Sequence, residues 1–283
     1  MRKCFYSLFA ILCVFFSVTA QTDGKERPWS VNDGTLIGIG GYRVKDTYLS
    51  PLQYSGWGMR ILNERMKVVS LMDYRVSRQQ IINVDIASTR NPAETARDFS
   101  GFVDYSLGYH YRFHPAENLK ILTGASVRGE FGFIYNTRNG NNPASAKADI
   151  GLNLSAMAIY TFKIKEYPLT VRYQVETPFA GVLFSPHYGQ SYYEIFDLGN
   201  YKDVVRFSSF HNKFALRNYV TVDFPVCNFT LRLGYLNSSY RTNVNYIKGH
   251  VISNSFMIGI VKEFVSFGGK RLKNNNKYDS AYY

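Results

Sequence analysis

The residues best equipped for chemistry stand together in one stretch, Ser185-Pro186-His187-Tyr188-Gly189-Gln190-Ser191, with Glu194 three places on. A serine hydroxyl is a weak nucleophile until a histidine takes its proton, and a carboxylate can orient that histidine. His187, Ser191 and Glu194, with Ser185 as a second hydroxyl, are therefore the candidate catalytic residues, and the chemistry they suggest is acyl hydrolysis. The other histidines, His110, His114, His211 and His250, are scattered along the chain. A metal site needs convergent ligands, and none is expected. Asp197, Asp203 and His211 could form the acid–histidine pair of a protease at a barrel rim, although any polar loop holds such residues. Gly38-Ile39-Gly40-Gly41 lacks the helix that must follow a phosphate-binding loop. No cofactor is expected.

The elements that would position these groups follow from composition and period. The chain has 283 residues, with 23 Tyr, 21 Phe and 2 Trp among them. That is too aromatic for a disordered chain, and the Leu/Ala/Glu/Lys richness of a helical bundle is missing. Residues 1–20 read as a secretory leader: Arg2 and Lys3 precede the apolar run Phe5–Val18, and Val18-Thr19-Ala20 offers small residues for cleavage. Leu12 before Cys13 does not suit a lipoprotein signal. Removing 20 of 283 residues leaves 263, with Cys227 as the one cysteine, so no internal disulfide is expected. After residue 20 no apolar run approaches the roughly 18 residues of a transmembrane helix.

Strict alternation carries the fold. Leu169, Val171, Tyr173 and Val175 oppose Thr170, Arg172, Gln174 and Glu176, and Val103 to Phe113 repeats the pattern. Ten strands are expected, at 35–43, 54–68, 75–88, 100–113, 119–135, 147–164, 168–176, 212–224, 228–241 and 250–267. Reading 182–196 and 204–210 as strands as well gives twelve. Several runs reach the length of about 9–11 residues that spans a membrane. Long polar connectors (45–53, 88–100, 136–147, 177–212) alternate with short ones (71–75, 114–118, 165–168, 225–228). Long loops on one side and tight turns on the other are the layout of an antiparallel outer-membrane β-barrel. The expected organisation is a leader over 1–20, a periplasmic segment over 21–33, the barrel over 34–268 and a basic, Asn-rich tail over 269–283, read as a frayed periplasmic end.

The faces follow from cost. Arg in hydrocarbon near the midplane costs a barrel roughly 2–4 kcal/mol. Arg60, Arg112, Arg128, Arg172, Arg217 and Arg232 must therefore point inward, with Asp85, Asp104, Glu130, Asp149, Glu176 and Asp223. Tyr105, Leu107, Val171, Leu231 and Ile258 should meet lipid. A barrel of ten strands is narrow, and its lumen should be filled by paired side chains. The formal charge of +12 accompanies no nucleic-acid module. Loop Lys and Arg are expected to meet outer-membrane lipids, lipopolysaccharide included.

Four stretches carry a resemblance to a family of uncharacterised outer-membrane proteins of Gram-negative bacteria, known as a domain of unknown function. They are Asp46–Leu52 with Tyr54–Gly58, Gly132–Asn136 through Arg138–Pro143, Phe184–Pro186 through Gly189–Phe196, and Leu231–Tyr235 with Asn243 and Asn245. The resemblance spans nearly all of the chain after the leader. It implies the same barrel and location and brings no assigned activity. The leading functional reading is a non-enzymatic envelope barrel: structural, surface-binding or passing a small solute. The alternative is an outer-membrane lipid or lipopolysaccharide hydrolase built on Ser185, His187, Ser191 and Glu194. These are similar in composition to the outer-membrane phospholipase site, but that family's motif sets His just before Ser-Asn-Gly.

Overall fold

A computed structural model describes residues 29–226, 229–266 and 280–282. The leader, residues 21–28 and Cys227 lie outside the described residues. The strands are β1 (Trp29–Asp46), β2 (Tyr54–Val69), β3 (Val76–Arg90), β4 (Arg97–Ala116), β5 (Leu119–Asn136), β6 (Ala144–Ile164), β7 (Tyr167–Phe184), β8 (Val205–Ser209), β9 (Lys213–Val226), β10 (Phe229–Val244) and β11 (Ile247–Ser266), with one helical turn, α1 (Tyr192–Phe196). Neighbours in sequence pair antiparallel, and β1 pairs with β11, which closes the barrel.

The barrel has ten staves. β8 pairs with the far half of β7 (Ala180↔Ser209) and β9 with its near half (Glu176↔Arg217), so the two are one stave interrupted at 210–212. The twelve-strand alternative is thereby excluded: 182–184 finish β7 and 205–209 continue into β9. Residues 177–184, expected as loop, extend β7. Pro178 has no N–H for a ladder, and the β6–β7 register slips there, pairing Asn153 with Pro178 and Leu152 with Ala180. Phe179 is the bulged residue, and the strand resumes beyond it. β1 also starts earlier than expected, at Trp29.

The strand stagger shows in a single walk. Starting at Val171 and stepping across partners, the row passes Val222, Leu233, Ile258, Ile37, Ile61, Val84, Val103, Phe131 and Ala148, and returns to β7 at Phe184. That offset tilts the strands as closure of a small barrel requires. Every side chain on the row is apolar. Ile37, Ile61, Val84, Val103, Phe131, Leu233 and Ile258 are exposed, while their strand neighbours are buried or, at Glu130 and Gly259, half-buried. The alternation thus keeps its phase round the barrel, and the greasy face points out, as in a transmembrane barrel.

One polar seam crosses that outer face. Asn218, Asn237 and Asn254 stand in one row of β9, β10 and β11. Asn218 Nδ2 donates to Asn237 Oδ1 at 3.1 Å, and Asn237 Nδ2 to Asn254 Oδ1 at 2.7 Å. The hydroxyls of Tyr173 and Tyr235 donate to the two ends of the ladder.

Candidate functional site

Two places collect the functional side chains: the cap over the long-loop mouth and the filled lumen beneath it. The inward face of β2 reads out the lumen in order. From the loop end come Arg60, Leu62, Glu64, Met66 and Val68, all buried; the first three each mark a layer, and Met66 and Val68 share the last.

Arg60 marks the outer charged layer. Its Nη2 lies 3.6 Å from Asp85 and donates to the Ser253 hydroxyl. Gly58 makes room for the Tyr42 ring beside it; a Cβ there would come within 2.8 Å of Tyr42 Cε2. Asp104 takes Arg128 and Arg217 at 3.2 Å each, and Asn83 at 2.7 Å. Lys213 and Tyr240 hold Asp149 one step further out. Leu62 lies in an apolar band with Leu36, Ile81, Tyr219, Leu236 and Met257.

Glu64 is the centre of the inner charged layer. It is fully buried, with both of its oxygens engaged by Arg172. Arg232 adds a bond of 2.9 Å to Oε2, and Gln79 one of 2.6 Å to Oε1. Arg232 in turn grips Asp223 through Nε and Nη2, both at 2.7 Å. Met66 and Val68 then join Leu122, Met157 and Ile159 in an apolar floor. The C-terminal end completes that floor. Ala281 and Tyr282 are buried in it, and the Tyr282 ring lies under the guanidinium groups of Arg232 (4.3 Å) and Arg172 (5.0 Å). This corrects the reading of the tail as a frayed end, for its described residues: an aromatic ring beneath two cations gains both burial and cation–π attraction.

Little space is left between the layers. A cavity of about 30 Å³ lies among Arg60, Asp85, Asp104, Arg128 and Arg217. That holds a water molecule or two, not a solute. The expected inward set Arg60, Arg112, Arg172, Arg217 and Arg232 is buried, and Arg128 joins Asp104 and Glu130.

The cap closes the other end. Val44, Tyr48, Leu49, Phe102, Ile134 and Ile247 form an apolar cluster under it, with Tyr192 packed against them. Tyr192 starts α1; its hydroxyl accepts the Ala146 N–H, and its ring forms a three-ring cluster with Phe184 and Phe196. Tyr48 donates to the Gln190 carbonyl at 2.8 Å. Burial pushes the Tyr48 phenol up to about 12, and neighbouring Tyr192, Asp46 and Glu194 push the same way. Burial raises Tyr192 as well. Both stay neutral donors at any physiological pH. Asn139 reaches Leu49, and Asn245 reaches Ser185 and Asp203. The first three stretches that carry the family resemblance, with Asn245 of the fourth, are thus knitted into or beside one cap, while Leu231–Tyr235 lies at the other end of β10.

Within the cap, the hydrolase candidates have structural occupations. Ser191 is the N-cap of α1: its Oγ accepts the Glu194 N–H, and Glu194 Oε2 accepts the Ser191 N–H at 2.8 Å, a reciprocal capping box. The His187 ring meets the Lys202 carbonyl at 3.3 Å, and Ser185 Oγ donates to the Pro186 carbonyl. No hydrogen bond joins His187 to either serine or to Glu194 among the described residues. His110 and His114 both lie on β4, where four residues of strand separate them by roughly 13 Å.

The chain belongs to the family described as protein of unknown function DUF3316, whose model matches residues 7–271. No curated protein matches it. Among solved structures it is similar to the transport unit of the autotransporter AIDA-I from Escherichia coli (10% identity, 93% of this chain and 97% of that one, TM-score 0.45). It is also similar to the outer membrane protease OmpT from Escherichia coli (8% identity, 86% and 99%, TM-score 0.40) and to Ail, the attachment invasion locus protein of Yersinia pestis (11% identity, 83% and 99%, TM-score 0.31).

Proposed function

We propose that this member of the DUF3316 family is a closed outer-membrane barrel that acts through its outer and cap surfaces and conducts no solute. The observation that carries this reading is the layered lumen. Apolar floor, Glu64 cluster, apolar band, Asp104 cluster and apolar cap follow one another along β2 and its partners. Opening a path would mean breaking two buried ion-pair clusters, and separating one such pair costs about 3–5 kcal/mol. The capping box supports the non-enzymatic side of the reading, because Ser191 and Glu194 already serve each other.

Liposomes loaded with a small sugar and carrying the purified full chain test it. The expected result is a leak rate equal to protein-free vesicles. A leak that scales with protein content would overturn the reading. Steady release of fatty acid by wild type, lost in His187→Ala and Ser191→Ala, would establish the hydrolase alternative in its place.

A further inference from the structure

We propose that the loop-end flank of β1, β10 and β11 binds the phosphate-bearing head group of a glycolipid of the outer leaflet, of which lipopolysaccharide is the fitting chemistry. This rests on the outer-membrane placement of the barrel and not on the closed lumen. The register builds the site. Lys45, His250 and Arg241 are direct cross-strand partners on β1, β11 and β10. Paired residues share a face, so all three point outward. Arg43 lies two places below Lys45 on the same face, and Lys248 two places above His250. Arg43, Arg241 and Lys248 are exposed, and Lys45 and His250 are half-buried.

No carboxylate answers this cluster. Asp46, the acid next to Lys45, is buried on the opposite face and holds Lys147 at 2.7 Å. Asp203 is taken by Arg206. None of the five basic side chains forms an ion pair among the described residues. The turn-end flank of the same sheet behaves differently: Arg65 on β2 is matched by Asp33 of β1 at 2.7 Å. Cations brought side by side without an acid repel one another, so a chain that keeps them there gains when an anion arrives.

The surroundings choose which anion. Below the cluster on the same outward face lie Ile252, then the Asn237–Asn254 end of the polar seam, then Phe256 and Ile39, the upper part of the greasy belt. A ligand bridging both zones has charge at head-group height and acyl chains beneath. A soluble anion would use only the first, and a soluble protein would have to displace lipid to reach the flank. Each Lys or Arg near an anionic membrane surface contributes appreciably, and phosphate is a strong acceptor for both.

The test uses the full chain in neutral detergent, with lipid retention read by native mass spectrometry. Lipopolysaccharide, the same lipid with its phosphates removed, and inorganic phosphate are titrated in turn. Wild type is expected to hold the phosphorylated lipid at least about tenfold more tightly than the dephosphorylated one. The triple variant K45Q/R241Q/K248Q should weaken it roughly 100-fold, while R65Q/K67Q/R78Q at the turn-end flank leaves it within about twofold. Equal retention of the two lipids by wild type would overturn the proposal, whatever the variants do. So would an unchanged triple variant that still shows the heat-modifiable migration of a folded barrel. Complete displacement of lipid by millimolar inorganic phosphate would also overturn it, and reduce the flank to a simple anion site.

Discussion

At the scale of the residue, Glu64 holds more of the lumen together than any other acid. Arg172 of β7 and Arg232 of β10, with β9 between them, reach it across the lumen, and both guanidinium groups are fully buried. Removing the carboxylate strands the buried Arg172 and leaves Arg232 with Asp223 alone, which is far costlier than exchanging a matched set for apolar groups. Glu64→Ala is expected to lower the unfolding free energy by about 3–5 kcal/mol in urea titrations of the detergent-solubilised barrel. Asp33→Ala breaks a pair whose arginine is half in solvent, and should cost under about 1 kcal/mol. Equal losses would remove Glu64 from its central place. Ser191 gives a second contrast. Ser191→Ala takes away the cap of α1 and should cost the loop about 0.5–2 kcal/mol. The expected signature is faster proteolytic nicking within 185–204 with an unchanged urea midpoint for the barrel.

At the scale of the element, the Asn218–Asn237–Asn254 seam shows how strands tolerate polar groups on a greasy face. Asn218 sits between Leu216 and Val220, outward on β9. The amides serve one another, so removing one leaves another amide unsatisfied, while removing all three leaves no amide behind and frees only the hydroxyls of Tyr173 and Tyr235. Asn237→Leu is expected to destabilise the barrel by about 1–3 kcal/mol. Asn218→Leu/Asn237→Leu/Asn254→Leu together should match or exceed wild type in the same urea titration. Additive losses would contradict the ladder. Strand existence and facing were legible because alternation is strict where both faces are unambiguous, as in Leu169–Glu176. Glu64 was not legible. On the turn half of β2, Asn63, Arg65 and Lys67 alternate with Glu64, Met66 and Val68, so neither face reads as the greasy one. The upper part of β7 was hidden by Pro178, whose bulge lets the strand resume in a way composition does not announce. The hydrolase candidates were legible as residue types only: the spacing Ser191-x-x-Glu194 is also that of a capping box, and the two residues form one at α1.

At the scale of the whole molecule, the barrel is closed by two ends of different origin. The cap is made of the long loops. The floor is finished by Ala281 and Tyr282, which return to the lumen although the preceding tail is basic and Asn-rich. Tail composition gave no sign of this, since one aromatic side chain carries the contact. Tyr282→Ala should cost about 3–5 kcal/mol, the usual penalty for emptying an aromatic site in a core, read as a lower urea midpoint. The proposed function depends on a filled lumen that passes nothing. Single-channel recording of the purified full chain in a planar bilayer tests it most directly. The barrel is expected to insert without steady conductance at moderate voltage. Stable, ohmic current steps from wild-type protein would contradict a closed lumen.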